Sequence, residues 1–226
     1  MTTTAANPDL LGTLLTRLTG DEKHAPSAYS TLDVLWVLYD RVLRVTPDTV
    51  DEPDRDRFLL SKGHGPAGYY AVLAAKGFIP VDWLDDLGGP RSPLGHHPDR
   101  VLIPGVEIGT GSLGHGLGLA VGTALGLRAQ GYAETHTFVL LGDAELDEGA
   151  NHEAIAYVAA TGLPLTAIVI DNQSATHGWP GGIPARFPGW ITTVIDGRNH
   201  EQIAYALSRR YDRPNLVVAT VDPKRG

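Results

Sequence analysis

The chain has 226 residues, and 42% of them are apolar, which is enough for the core of a single domain over residues 1–226. Its formal net charge of −8 at pH 7 argues against a nucleic-acid partner or an anionic membrane surface. The absence of cysteine excludes disulfides and thiolate metal sites. No segment is long and apolar enough to span a membrane, and the N-terminus lacks a positively charged leader, so a cytoplasmic protein is expected.

Helix and strand patterns alternate along the chain. Apolar residues at helical spacing predict a helix over residues 8–18 and a second one that starts at a cap formed by Ser30 or Thr31 and ends before Pro47. Further helices are predicted over residues 66–76, 117–130, 151–161 and 201–210. Short β-branched and aliphatic runs predict strands over residues 58–60, 137–141, 165–170, 191–195 and 216–221. This alternation predicts an α/β fold in which helices sandwich a parallel sheet.

Polar clusters follow two of the predicted strands. Gly142, Asp143 and Ala144 come after the strand over residues 137–141, and Asp171-Asn172-Gln173-Ser174 comes after the strand over residues 165–170. Because ligands bind at the carboxyl ends of strands in open α/β sheets, Asp143 and Asn172 are expected to converge on one crevice. Their oxygens suit Mg²⁺ or Ca²⁺ carrying phosphates. The alternative is that both are ordinary turn residues.

Two glycine-containing turns precede helices. Residues 61–65, Ser-Lys-Gly-His-Gly, lead from a strand into the helix over residues 66–76. Residues 104–118 are the glycine-richest stretch and contain a formal GxGxxG in Gly109, Gly111 and Gly114. A dinucleotide-binding oxidoreductase is therefore an alternative, although residues 104–108 make a poor strand and no acidic residue follows at the expected place.

The motifs GD-x₄-EG, from Gly142 to Gly149, and DN-x-S, from Asp171 to Ser174, resemble the thiamine-diphosphate signature of transketolases. The resemblance implies that Asp143, Asn172 and the main-chain carbonyl of Ser174 hold the metal. It also implies that the backbone of Gly142, Asp143 and Ala144 contacts the diphosphate. This family usually has glycine at the position of Ala144.

The resemblance extends to three histidines outside these motifs. His24 matches the substrate-facing histidine of the family, and His64 matches the one that contacts the diphosphate and the reacting carbons. Of the adjacent pair His96 and His97, the spacing to Glu107 selects His97 as the contact to the donor sugar. The alternative for His24 and His64 is a solvated loop histidine, and the alternative for the adjacent His96 and His97 is a transition-metal site, although no other ligand pair lies at a supporting spacing.

Two further segments complete the implied site. Gly111, Ser112 and Leu113 take the place of the backbone that lies along the aminopyrimidine. Glu148 matches the acid of GD-x₄-EG and is expected to support the aminopyrimidine or a subunit contact. The alternative for Glu148 is a surface carboxylate at a helix N-terminus.

The resemblance covers nearly all 226 residues but only the first domain of a transketolase. It implies the N-terminal subunit of a split enzyme that transfers a two-carbon ketol unit and is inactive without a separate pyrimidine-domain subunit. An α2β2 heterotetramer acting on a sugar or sugar phosphate is expected. Residues 224–226 end where transketolases continue to another active-site histidine, so the alternative is a non-catalytic scaffold or regulatory subunit.

Overall fold

Five parallel strands form one sheet in the computed structural model, which describes residues 8–18, 25–64, 66–175 and 177–223. The strands are β1 (Arg57–Leu60), β2 (Thr137–Gly142), β3 (Thr166–Asp171), β4 (Ile191–Asp196) and β5 (Asn215–Thr220). Their order across the sheet is β1-β2-β3-β5-β4, and each neighbouring pair is parallel. The predicted α/β fold with a parallel sheet is therefore confirmed.

The central strands are apolar over most of their length because helices cover both faces of the sheet. All six residues of β2 are buried, whereas the edge strand β4 alternates between half-buried and exposed positions over most of its length. On β2, Phe138 and Leu140 point into one core, and Val139 and Leu141 point into the other. One strand thus supplies both cores by the alternation of its side chains.

Helices lie on both faces of this sheet. The helices α1 (Pro8–Arg17), α2 (Ala25–Val37), α3 (Ala67–Ala75) and α7 (His200–Ser208) pack in the first core. The helices α4 (His115–Ala129) and α5 (Gly149–Thr161) pack in the second, next to the short α6 (Gly182–Ala185). The α5 connection joins β2 to β3, and the α7 connection joins β4 to β5 on the other face. None of the described helices is long and apolar enough to cross a bilayer.

The second helix starts earlier than predicted. It begins at Ala25, and Ser30 and Thr31 are buried inside it rather than forming its cap. The hydroxyl of Thr31 donates a hydrogen bond to the carbonyl of Ala28 at 3.0 Å, within the helix. Pro26 is the second residue of this helix. A proline fits the first turn of a helix because the N–H that it lacks would have no partner there. The helix then widens into a π turn, Leu38–Val42, before the chain reaches Pro47.

A cluster of charged and polar groups around the buried Asp56 lies at the amino ends of the strands. The carboxylate of Asp56, whose side chain is 0% exposed, accepts hydrogen bonds from the guanidinium groups of Arg44 and Arg210 and from the amide of His136. Burial would raise the pKa of Asp56, but these hydrogen bonds lower it to about 2. Burial lowers the pKa of His136 to about 4, and its Nε2 lies 2.8 Å from Oγ1 of Thr166. The cluster therefore requires Asp56 charged and His136 neutral.

Candidate functional site

The carboxyl ends of β2 and β3 bring Asp143 and the segment after Asn172 together. Asp143 is 3% exposed, and its carboxylate accepts hydrogen bonds from the amide and the hydroxyl of Ser174, both at 2.6 Å, and from the amide of Ala175 at 3.1 Å. Asn172 is 2% exposed, and its Oδ1 is a buried atom with no hydrogen-bond partner. Buried acceptors are rarely left in this state, so Oδ1 of Asn172 is suited to a ligand.

Gln173, between Asn172 and Ser174, has a left-handed backbone with φ of 55°. Among the described residues it is the one non-glycine residue with positive φ. Such a conformation costs on the order of 1–2 kcal/mol for a residue with a side chain. It reverses the chain directly after β3, which carries the amide and hydroxyl of Ser174 back to Asp143.

Ala144 occupies an ordinary backbone conformation. It opens a 3₁₀ turn, Ala144–Asp147, whose preceding residue Asp143 is also helical, and its φ is not positive. A glycine is therefore not required by the backbone at this position. Ala144 is half-buried, and its side chain is compatible with the unstrained backbone of the turn.

His64 and His97 lie against each other although 33 positions separate them in the sequence. Their ring centroids are 5.2 Å apart in an edge-to-face arrangement, and Nδ1 of His97 lies 3.0 Å from the carbonyl oxygen of Gly63. A Cβ atom on Gly111 would lie 3.1 Å from the His97 ring, and one on Gly63 would lie 2.4 Å from Oγ1 of Thr110. The turn after β1, the loop of His97 and the glycine-rich loop therefore interlock here.

Glu145 was not among the residues that the sequence singled out, and it lies at the centre of the site. It is 1% exposed and accepts hydrogen bonds from the hydroxyl of Ser61, the amide of Gly114 at 2.9 Å and the amide of Gly142 at 3.2 Å. Burial raises the pKa of Glu145, although these donors and the nearby Lys62 oppose the shift. In the motif GD-x₄-EG this glutamate occupies a variable position, which is why the motif did not reveal it.

The remaining predicted residues lie at the rim or outside the described chain. Ser112 and Glu148 are exposed and Leu113 is half-buried. Glu148 immediately precedes α5, and a Cβ on Gly114 would lie 2.5 Å from its Cβ. His96 is exposed, and a Cβ on Gly88 would lie 3.2 Å from its ring. His24 lies outside the described residues.

A cleft of about 280 Å³ opens beside Asp143, lined partly by Gln173, His177 and Trp179. Its wall includes Arg186, which is 6% exposed, pairs with Asp147 at 2.6 Å and lies 4.7 Å from the ring of Trp179. Arg186 was not among the predicted site residues, because Asp147 occupies a variable position of GD-x₄-EG and Trp179 lies in a loop 32 positions further along the chain.

A carboxylate and an amide oxygen without a partner thus lie at the carboxyl ends of two adjacent parallel strands, which is where open α/β sheets bind ligands. The comparison with protein families specifies the class further, since the model of the transketolase thiamine-diphosphate-binding domain matches residues 19–221. The chain therefore belongs to the transketolase family.

Individual relatives cover most of this chain. It is 57% identical over 217 residues to a Rhodococcoides fascians protein named ferredoxin fas2. The matched region covers 94% of this chain and 71% of that protein. It is 33% identical over 215 residues to the 6-deoxy-6-sulfo-D-fructose transketolase subunit SqwG of a Clostridium species, over 90% of this chain and 78% of the relative. The crystal structure of Campylobacter jejuni transketolase superposes with a TM-score of 0.76 at 26% identity.

The solved transketolase is much longer than this chain. The Campylobacter comparison covers 95% of this chain but 38% of the solved chain, so this chain corresponds to part of a full-length transketolase.

The name ferredoxin belongs to the Rhodococcoides relative. This chain has no cysteine and therefore lacks the thiolates that hold iron–sulfur clusters. The dinucleotide-binding alternative is not supported, because Gly109, Gly111 and Gly114 follow turns rather than a strand.

The donor atoms at the strand ends fit a hard cation that also binds phosphate oxygens. No group of three His, Asp or Glu side chains suited to a metal occurs in the described part of the chain. The candidate set is instead one carboxylate from Asp143, the unpartnered Oδ1 of Asn172 and a main-chain carbonyl at Ser174. Mg²⁺ commonly takes few protein ligands and completes its shell with phosphates and water, so this set suits it.

Proposed function

We propose that the chain is the N-terminal, diphosphate-binding subunit of a two-component transketolase. It transfers a two-carbon ketol unit from a ketose to an aldehyde and uses thiamine diphosphate and Mg²⁺. The single observation that carries this proposal is the buried, unpartnered Oδ1 of Asn172 beside the Asp143–Ser174 contact. Membership of the transketolase family supports the choice of cofactor.

In this proposal the strand ends bind the metal and the diphosphate, and His64 and His97 move protons. Asp143, Asn172 and the carbonyl of Ser174 would hold the metal, and the amide of Ala144 would face the diphosphate. Thiamine diphosphate, when bound, supplies the nucleophilic carbon that carries the two-carbon unit. His97 donates from Nδ1 to the carbonyl of Gly63, which leaves its Nε2 as a proton acceptor toward a substrate hydroxyl. His64, against the His97 ring, is placed for the same task.

A second subunit is part of the proposal. The Clostridium relative is named as a transketolase subunit, and this chain spans 38% of the solved Campylobacter chain. We propose that a separate pyrimidine-domain subunit completes the site in an α2β2 heterotetramer. Its residues would cover the exposed rim at Ser112 and Glu148 and recognise the sugar or sugar-phosphate substrate.

Calorimetric titration of thiamine diphosphate with Mg²⁺ tests this function directly. We expect binding when the chain is mixed with its partner subunit and none when it is alone. The N172A variant should lose binding in the mixture while its unfolding temperature without ligands stays close to that of the wild type, since the removed oxygen has no partner. Full binding by N172A, or no binding by the wild-type complex, would contradict the proposal. Ketol transfer by the chain alone would contradict the requirement for a partner.

A scaffold role makes a different prediction for His64. In a catalytic subunit the H64A variant loses ketol transfer in the reconstituted complex, whereas in a scaffold subunit the same variant retains it. H96A is the matched control, because it removes the same kind of ring from an exposed position beside Gly88.

A further inference from the structure

We propose that Glu145 is a positioning residue of the diphosphate site, an inference that rests on the proposed function. Its carboxylate sets the spacing between the turn after β1, the glycine-rich loop and the end of β2. These are the three segments that carry His64, Gly111 to Leu113, and Asp143. Glu145 itself touches none of the atoms that would react.

The hydrogen bonds of Glu145 reach all three segments. Oε1 accepts from the hydroxyl of Ser61 and from the amide of Gly114 at 2.9 Å, and Oε2 accepts from the amide of Gly142 at 3.2 Å. Ser61 extends the contact, because its Oγ accepts from the amide of Gly116 at 3.0 Å. A buried carboxylate that accepts hydrogen bonds from two loops and from the end of β2 holds these segments at fixed distances from one another.

A side chain of α5 also holds the backbone of Glu145 in place by a hydrogen bond. Its carbonyl accepts a hydrogen bond from Nδ2 of Asn151, a fully buried residue, at 2.7 Å. The turn after β1 also packs tightly against the start of α4, since a Cβ on Gly116 would lie 2.2 Å from Cβ of Ser61. The spacing is therefore set by contacts that a small change at Glu145 alters directly.

Glutamine at this position is a sharp test because it keeps the shape of the side chain. The amides of Gly114 and Gly142 can only donate, so the NH₂ group of glutamine must face one of them. E145Q therefore breaks at least one of the two backbone contacts. The matched control is E52Q, the same chemical change at an exposed residue that precedes β1.

Amide hydrogen exchange on the full chain, without cofactor, measures the spacing of the loops. In E145Q we expect exchange at least 10-fold faster in peptides that contain Gly114 or Gly142, and unchanged exchange in peptides from β3 and β5. The S61A variant should accelerate exchange at Gly116 while leaving Gly142 unchanged, because Ser61 reaches Gly116 and not Gly142. Uniform acceleration across the chain, or none in these loops, would overturn the proposal.

Cofactor affinity in the complex with the partner subunit provides the second measurement. E145Q should weaken binding of thiamine diphosphate with Mg²⁺ on the order of 10- to 100-fold, the range found when groups that orient metal ligands are removed. The KM for the ketose should stay unchanged, because Glu145 is buried away from the rim. Wild-type affinity in E145Q would overturn the positioning role. If the wild-type complex itself binds no thiamine diphosphate, the proposed function fails, and the exchange experiment still decides whether Glu145 fixes the loops.

Discussion

Ser174 holds the carboxylate of Asp143 from two sides, since its amide lies 2.6 Å from Oδ2 and its hydroxyl lies 2.6 Å from Oδ1. The S174A variant keeps the amide contact and the main-chain carbonyl but frees Oδ1. Because groups that orient a metal ligand contribute to metal affinity, we expect Mg²⁺ affinity to fall by roughly 10-fold in the reconstituted complex. Mg²⁺ titration at fixed thiamine diphosphate measures this, with S208A on α7 as the control. Unchanged Mg²⁺ dependence would show that the hydroxyl contact is incidental.

Gly63 is required by the space around it. A Cβ there would lie 2.4 Å from Oγ1 of Thr110 and 2.9 Å from the amide nitrogen of Gly111, so G63A must separate the turn after β1 from the glycine-rich loop. We expect loss of thiamine diphosphate binding in the reconstituted complex. The control is G118A on α4, where an added Cβ meets no atom within 4 Å. Since alanine favours a helix over glycine, G118A should raise the free energy of unfolding by about 0.5–1 kcal/mol.

Asp56 is predicted to contribute more to stability than any surface ion pair. Its side chain is 0% exposed and takes hydrogen bonds from Arg44, Arg210 and the amide of His136. D56N should lower the free energy of unfolding by roughly 3 kcal/mol, the lower end for a broken buried pair, since both arginines reach water. The control is D212N, whose partner Arg213 lies 3.7 Å away at an exposed site, and it should change the value by less than about 0.5 kcal/mol. Urea unfolding measures both, and equal values would refute the distinction.

His136 makes the fold sensitive to mild acid. Burial lowers its pKa from 6.5 to about 4, so the unfolded chain takes up a proton between these values and the folded chain does not. The free energy of unfolding should therefore fall as the pH drops from about 6.5 to about 4, by up to about 3 kcal/mol for a shift of this size. Asp56 adds a further loss below its ordinary pKa, as the pH falls toward its folded pKa of about 2.

Urea unfolding at pH values from 4 to 7.5 measures this dependence. The H136Q variant lacks the titrating ring and should show a flatter profile than the wild type in the same range. H115Q is the control, because His115 is exposed at the start of α4 and should leave the profile unchanged. A wild-type slope in H136Q would assign the acid sensitivity to other groups.

Periodicity predicted the elements of this fold well where packing follows a simple pattern. The strands lie within one residue of their predicted limits, because a parallel strand buried on both faces is a continuous apolar run. The start of α2 was wrong, since Ser30 and Thr31 fit a cap by type and yet are buried within the helix. The π turn at Leu38–Val42 has no signal in the apolar pattern.

The site was predictable to the extent that its residues lie in motifs. Asp143 and Asn172 follow strands, and the contact between Asp143 and the Asn172–Ala175 turn is a consequence of the sheet order. Glu145 could not be found in this way, because its partners Ser61 and Gly114 are 84 and 31 positions distant. Its importance is a property of three loops meeting, which one segment of sequence does not contain. The roles of all the predicted site residues stay predictions, including those of Asp143, Asn172 and Ser174 at the metal as well as those of the histidines, the glycine-rich loop and Glu148.

The amino ends of the strands carry groups that stabilise the fold, and the carboxyl ends carry the candidate site. The cluster of Asp56 and His136 lies at the amino ends, and Asp143 and Asn172 lie at the carboxyl ends, a separation of about 20 Å for strands of six residues. Substitutions at such distances act almost independently. An engineer seeking an acid-tolerant or heat-tolerant form can therefore redesign the amino edge while leaving the opposite rim untouched.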